Sequence, residues 1–232
     1  MVESLRKSMR IFSLLFKLGI CLLPWPYKRF FLQVFFGYQL HPDSYISLAW
    51  VYPKKLILQK GASIGLLTVC KGVEEILLEE YATIGRLNWI TGLPLSEKKH
   101  FSHQPERLPS LILKKYASIT HRHLIDCTNR VEIGELTTFA GFRSQILTHS
   151  IDIKTNRQSS APVYIGEKCF IGSGCILLPG SALPNASILG AMSLLNAKHE
   201  EMHSLYGGVP AKKIKSLDPQ SLYFHRTQGF VE

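Results

Sequence analysis

Between Val163 and Leu195 the chain repeats every six residues, and that period leaves few folds open to it. Aliphatic side chains stand at Ile165, Ile171, Leu177, Leu183, Leu189 and Leu195. A small residue follows four positions after each of the first five, at Cys169, Cys175, Ser181, Ser187 and Ser193. Six is neither the 3.6-residue period of a helix nor the two-residue period of a lone strand. It is the period of a coil of very short strands joined by tight corners, stacked so that the aliphatics form one interior column.

Weaker copies of the pattern reach back to Leu58. Leu58 pairs with Ala62 ahead of Ile64-Gly65, and Leu78 pairs with Ala82 ahead of Ile84-Gly85. Leu113 with Ala117, Ile119 with His123 and Ile125 with Asn129 keep the spacing, which places Asn129 in an inward slot. Ile133-Gly134 and Phe139-Ala140 follow after a two-residue shift. Two stretches break the repeat and read as external loops: 91–110, with Pro94, His100, His103, Pro105 and Pro109, and 150–162, with Asp152, Asn156 and Gln158. Loops carried on a rigid scaffold are where function concentrates.

The ends differ from the coil. In residues 1–40 a basic start is followed by apolar Ile11–Leu23, the breaker Pro24-Trp25-Pro26, and apolar Phe30–Phe36. Neither apolar run reaches the roughly 20 residues needed to cross a bilayer. No small-x-small cleavage site follows them, so the segment does not read as a signal peptide. It reads as a pair of interfacial helices that associate with a membrane and cap the coil. Arg6, Lys7, Arg10, Lys17, Lys28 and Arg29 are expected to face headgroups. Residues 41–205 form the coil, and 206–232 a C-terminal tail.

A formal net charge of +10 over 232 residues favours an anionic partner. No nucleic-acid motif accompanies the charge, so a membrane surface or a phosphorylated ligand ranks above nucleic acid. Five cysteines without a Cys-x-x-Cys pair suggest a reducing compartment. With the basic, apolar start, the expected location is cytoplasmic, peripheral on the inner face of the membrane. Neither Gly-x-Ser-x-Gly nor a phosphate-binding Gly-x-x-x-x-Gly-Lys-Ser/Thr loop occurs.

Three elements together carry a family resemblance: the repeat block, Thr148-His149-Ser150 just before it, and the closing Gly208-Val209-Pro210-Ala211-Lys212-Lys213-Ile214. The chain resembles the hexapeptide-repeat acyltransferases, in the branch that acetylates sugars and exopolysaccharide precursors. The close match spans about residues 125–215. The resemblance implies an all-β solenoid, a left-handed parallel β-helix with an N-terminal helical segment, usually assembled as a homotrimer. It implies transfer of an acetyl group from coenzyme A to a sugar hydroxyl, the acceptor being a cell-surface polysaccharide or lipid-linked glycan precursor. No metal is required.

The resemblance also assigns residues. His149 matches the family's catalytic histidine; a base is needed to deprotonate the acceptor, and an imidazole titrates near neutrality. Its orienting carboxylate is Asp126 or, closer in sequence, Asp152, with Asp126 preferred. His121 and His123 stand where the family contacts its acceptor. Ser173, Ala191 and Asn196 match positions along the coenzyme A arm, and Lys212, assisted by Lys213, meets its nucleotide end. Val209 departs from the family's usual asparagine, as does Met192-Ser193 from its small-residue pair.

Three other readings stay open. An amino-sugar N-acetyltransferase would use the same base, and a non-catalytic coil would leave His149 incidental. A zinc enzyme of the carbonic anhydrase type needs paired histidines, and Lys154 occupies the position where the partner of His149 would stand.

Overall fold

The computed structural model describes residues 2–231; the side chains of residues 2–7, 10 and 98 lie outside that description, and with them the expectation for Arg6, Lys7 and Arg10. The coil is there. One turn of it consists of strands Lys55–Leu58, Ser63–Ile64 and Val69–Lys71, each of which pairs in parallel with the strand on the same face of the next turn. Three sheets result, parallel but for the last strand of the second; the first and third have seven strands and the second nine, so seven full coils stack along one axis. Gln39 lies opposite Ile57 and Ile165 opposite Leu183, the 18-residue coil that three six-residue units make. Leu56 opposite Ile76 and Leu111 opposite Val131 are coils longer by two residues.

The sequence folds this way because each two-residue strand puts its first side chain outward and its second inward. Ile64, Ile84, Ile119, Phe139, Ile171 and Leu189 thereby stack as one buried column. The position four residues later, or five after Phe139, turns inward at the corner, beside the backbone of the neighbouring coil. Only a small or hydrogen-bonding side chain fits there. At the corner between the second and third sheets these residues form a polar ladder through the interior. Asn88 N donates to Thr68 Oγ1 (3.3 Å), His123 N to Asn88 Oδ1 (2.9 Å), Ser144 N to His123 Nδ1 (3.2 Å) and Cys175 N to Ser144 Oγ (3.1 Å). Each rung satisfies an amide that would otherwise be buried unpaired, a fault costing about 1–3 kcal/mol.

His123 belongs to this ladder, which corrects its expected contact with an acceptor. It is 2% exposed, stands edge-on to Phe139, and its Nε2 lies 3.0 Å from Thr120 Oγ1. Because Nδ1 accepts from Ser144, the proton sits on Nε2. Burial pushes its pKa down to about 4, so the ring stays neutral.

Helices α1 (Val2–Leu22) and α2 (Trp25–Phe36) cover the N-terminal end of the stack. Pro24 starts α2 and Gly37 ends it in the left-handed conformation, its amide returning to Gln33 O. Ile20 and Leu32 join the core, with Phe16, Trp25, Phe31 and Phe36 packed against it. Two cations do not face outward as expected. Lys28 is buried at the helix–coil junction, donating to Ser47 O (2.7 Å) and Cys21 O (3.3 Å), where burial lowers its pKa. Lys17 lies over the rings of Phe36 and Tyr52. Lys28 serves the cap: α1 ends with unsatisfied carbonyls, and an ammonium is a suitable partner for that of Cys21.

At the other end, Ser204–Gly208 pairs in parallel with the last strand of the second sheet and antiparallel with Ala211–Ser216. That hairpin closes an edge otherwise open to association. The tail then turns back along the stack, where Tyr223 Oη donates to Cys169 O (2.9 Å).

Candidate active site

The two interruptions of the repeat leave the coil near the same corner and meet outside it. Neither is a plain loop. Residues 149–160 form an antiparallel hairpin, His149–Asp152 against Arg157–Ser160, and the earlier insertion carries the single helical turn Lys98–Phe101. Gln104 clips them together: its Oε1 accepts from Ser160 N (2.9 Å) and Ser160 Oγ (3.0 Å). Arg107, 3% exposed, fastens the first insertion to the coil by donating to Leu93 O, Pro94 O and Thr128 O.

Asp126 and His149 lie at the base of this structure. Asp126 ends the strand Leu124–Asp126, at a corner two residues longer than a regular one, and is 5% exposed. Its Oδ1 accepts from Thr128 N (3.1 Å) and Thr128 Oγ1 (2.7 Å). Its Oδ2 accepts from Thr148 N (2.8 Å) and lies 2.7 Å from His149 Nδ1. Burial works to raise the Asp126 pKa, but these hydrogen bonds outweigh it and hold the carboxyl below its ordinary value. The same contact holds His149 above its ordinary value, against partial burial. Asp126 is thus the carboxylate that meets His149. Asp152 is engaged in the hairpin turn, accepting from Lys154 N and Thr155 Oγ1.

With Nδ1–H committed to Asp126, the nitrogen left to work is Nε2. The His149 side chain is 36% exposed, and Phe101, 2% exposed, stands edge-on to its ring at 6.2 Å with Arg107 stacked behind at 4.3 Å. An imidazole fixed in one tautomer by a buried carboxylate and open at its other nitrogen is equipped to take and return a proton.

Sequence reasoning missed Phe101, Arg107 and Gln104, which set the walls of the site. The one signal for them was polarity and proline in residues 91–110, which marks an insertion without revealing what it packs against. Asn129 is corrected: Cys127 takes the inward slot of the longer corner, and Asn129 instead links Thr148 Oγ1 (2.9 Å, from its amide) to Ser160 Oγ (3.1 Å).

The remaining expected residues lie elsewhere. His121 is exposed at the corner between the second and third sheets, its Nδ1 accepting from Arg86 N (3.1 Å). Ser173 and Ala191 occupy that same corner two and three coils further on, where Met192 N donates to Ser173 O (2.9 Å). Gly141 makes room for Ser173, whose Oγ would lie 1.8 Å from a Cβ placed there. Asn196 follows the last third-sheet strand, exposed, and Lys212 is exposed opposite Gly207 on the closing hairpin. The Lys213 ammonium, beside it on the hairpin, is paired with Glu201. Among the described residues no three histidine, cysteine or acidic side chains gather as a metal would require.

No family model and no curated protein matches the sequence. Solved structures do resemble the fold. The polysialic acid O-acetyltransferase OatWY superposes with a TM-score of 0.58 at 12% identity, over 77% of this chain and 84% of that one. This chain shares its fold. The N-acyltransferase AntD from Bacillus cereus, in complex with dTDP-4-amino-4,6-dideoxyglucose and coenzyme A, gives a TM-score of 0.51 at 15% identity, over 79% of this chain and 85% of that one.

Proposed function

We propose that the chain is a coenzyme A-dependent acyltransferase of the hexapeptide-repeat family, wound left-handed. It would move an acetyl group to a sugar hydroxyl of a cell-surface polysaccharide or lipid-linked glycan. The observation that carries this reading is the Asp126–His149 contact of 2.7 Å, with His149 Nε2 left for chemistry between two insertions. The shared fold of an O-acetyltransferase and an N-acyltransferase supports it.

In the reaction, His149 Nε2 takes the acceptor hydroxyl proton as that oxygen attacks the thioester carbonyl. The tetrahedral intermediate collapses, the C–S bond breaks, and the imidazolium returns the proton to the leaving thiolate. The products are the sugar acetate and coenzyme A. Asp126 stabilises the imidazolium while it exists. Ser173, Ala191, Asn196 and Lys212 are assigned to the donor arm. An amine acceptor would use the same base, so the product decides: an ester is cleaved by mild alkali and an amide survives. Full-length protein given acetyl-CoA and bacterial glycan acceptors should release free thiol and an alkali-labile acetate. Absence of both thiol release and coenzyme A binding would end this reading.

Two surfaces support assembly and location. Trp50, Val69, Trp89, Leu124, Ile176 and Leu194 point outward in adjacent registers down the third sheet, interrupted only by Gln145, and Trp89 is 51% exposed. Such a stripe suits packing against other copies in a homotrimer. Phe12, Leu15, Leu22, Phe30 and Val34 are exposed on the capping helices, and no described helix is long and apolar enough to cross a membrane. They suit an interfacial position on the inner leaflet. Size-exclusion light scattering with and without anionic vesicles tests both: a trimer mass alone and co-elution with vesicles, lost in the Phe12→Glu/Phe30→Glu variant. A monomer that ignores vesicles would refute both.

A further inference from the structure

Outward from His149 the insertions enclose a cleft of about 390 Å³ whose lining is polar and cationic. Lys99, His100 and His103 face it from the first insertion, and Asn156, Arg157 and Gln158 from the hairpin. Among the described residues, none that lines it is acidic. The nearby acids lie outside the lining: Glu97 accepts from Lys99 N (2.7 Å), and Asp152, across the hairpin from Arg157, accepts from Lys154 N and Thr155 Oγ1 (2.9 Å each). The cleft is held in shape. The Gln104–Ser160 clip joins its two sides at the inner end, and Gln158 Nε2 lies 3.4 Å from His100 Nδ1 within it.

Its distance from the base follows from strand geometry. His149 and Ile151 are two residues apart on one strand and share a face of the hairpin, and Ile151 lines the cleft with its cross-strand partner Gln158. Two residues of strand span about 7 Å. That is on the scale of one sugar ring.

We propose that this cleft binds a carboxylate or phosphate carried by the acceptor, so that the substrate class is an acidic glycan. The anion sits about one ring from the attacked hydroxyl. This inference rests on the acyltransferase reading above. Arg157 supplies a planar fork suited to a carboxylate or phosphate, and Lys99 a second cation across the cleft. Two cations lining one cleft with no carboxylate in the lining repel each other, and an anion placed between them removes that repulsion. The donor also carries phosphates, so the experiment must separate the two sources.

The full-length protein is screened on an array of matched glycans, sialylated, uronylated or phosphorylated against their uncharged counterparts, and coenzyme A affinity is measured by calorimetry. Wild type is expected to retain acidic glycans at least about tenfold better than neutral ones, as two charge-assisted contacts imply. The Lys99→Gln/Arg157→Gln variant should lose that preference with coenzyme A affinity unchanged, and Lys99→Arg/Arg157→Lys should restore most of it. Both positions are exposed, so the fold is not at stake. Equal retention of acidic and neutral glycans, or a preference untouched by the double variant, overturns the proposal. So does a loss confined to coenzyme A affinity, which would assign the cleft to the donor. Failure of wild type to bind coenzyme A at all would instead count against the acyltransferase reading, whatever the array shows.

Discussion

Replacing His149 with alanine should lower kcat/KM for acetyl transfer by about 10²–10⁴-fold, the usual share of a positioned general base. The affinity for coenzyme A should not change, because the residues proposed for the donor arm, Ser173, Ala191, Asn196 and Lys212, are untouched. The loss should fall on kcat, since proton removal matters only as the carbon–oxygen bond forms. His149→Gln should be as poor as the alanine variant, because an amide keeps the bulk and a hydrogen bond but cannot take a proton at neutral pH. Wild-type turnover in either variant would remove His149 from the mechanism. Thermal melting of each variant controls for folding, and a small change is expected because the side chain is over a third exposed.

The second large effect belongs to Asp126. Asp126→Asn should lower kcat by about 10²–10⁴-fold by releasing His149 from its tautomer and withdrawing the charge that stabilises the imidazolium. It also moves the pH profile. In wild type the base must be neutral, and Asp126 holds its pKa above the ordinary histidine value. The acid limb of kcat/KM should therefore lie above about pH 6.5. Without the carboxylate that limb should move to lower pH, an outcome a merely structural loss would not produce. A limb that stays in place in Asp126→Asn would show that Asp126 does not tune the base.

Stability carries the same signature at both ends. The folded pKa of Asp126 is depressed, so its contribution is present at neutral pH and is lost as pH falls through that folded value. The folded pKa of His149 is raised, so its contribution is complete below the unfolded value and is lost as pH rises through the folded one. The pair therefore stabilises most in the window between the two. Urea unfolding across that window should flatten in Asp126→Asn.

The coil and the Asp126–His149 pair were legible in the sequence for different reasons. The coil is written in a period: an aliphatic every sixth residue becomes an interior column because each two-residue strand turns one side chain in. The pair was legible because His149 falls at the last regular position before an interruption, and Asp126 one coil earlier. His123 shows where two signals conflicted. The repeat put it four residues after Ile119, in an inward slot, while the family resemblance put it at the surface; packing followed the repeat. Asn129 erred the opposite way, since the unbroken six-residue count missed the longer corner that lets Cys127 turn inward. Lys28 was misread because a lysine beside an apolar helix usually reaches water, and nothing local announces the carbonyls of Cys21 and Ser47 that bury it. Phe101, Arg107 and Gln104 were invisible because their partners are remote along the chain.

That remoteness sets an order of assembly. His149 lies 23 residues from Asp126, and Gln104 lies 56 residues from the Ser160 it clasps. Contacts over such separations form only after the intervening chain is in place, because closing the loop costs entropy first. A growing polypeptide that has already stacked its early turns still has no second wall and no anchored imidazole. The complete site therefore arrives late in synthesis, when the hairpin emerges and closes on an insertion made long before. Fragments ending ahead of it can be well folded and still lack the Asp126–His149 pair.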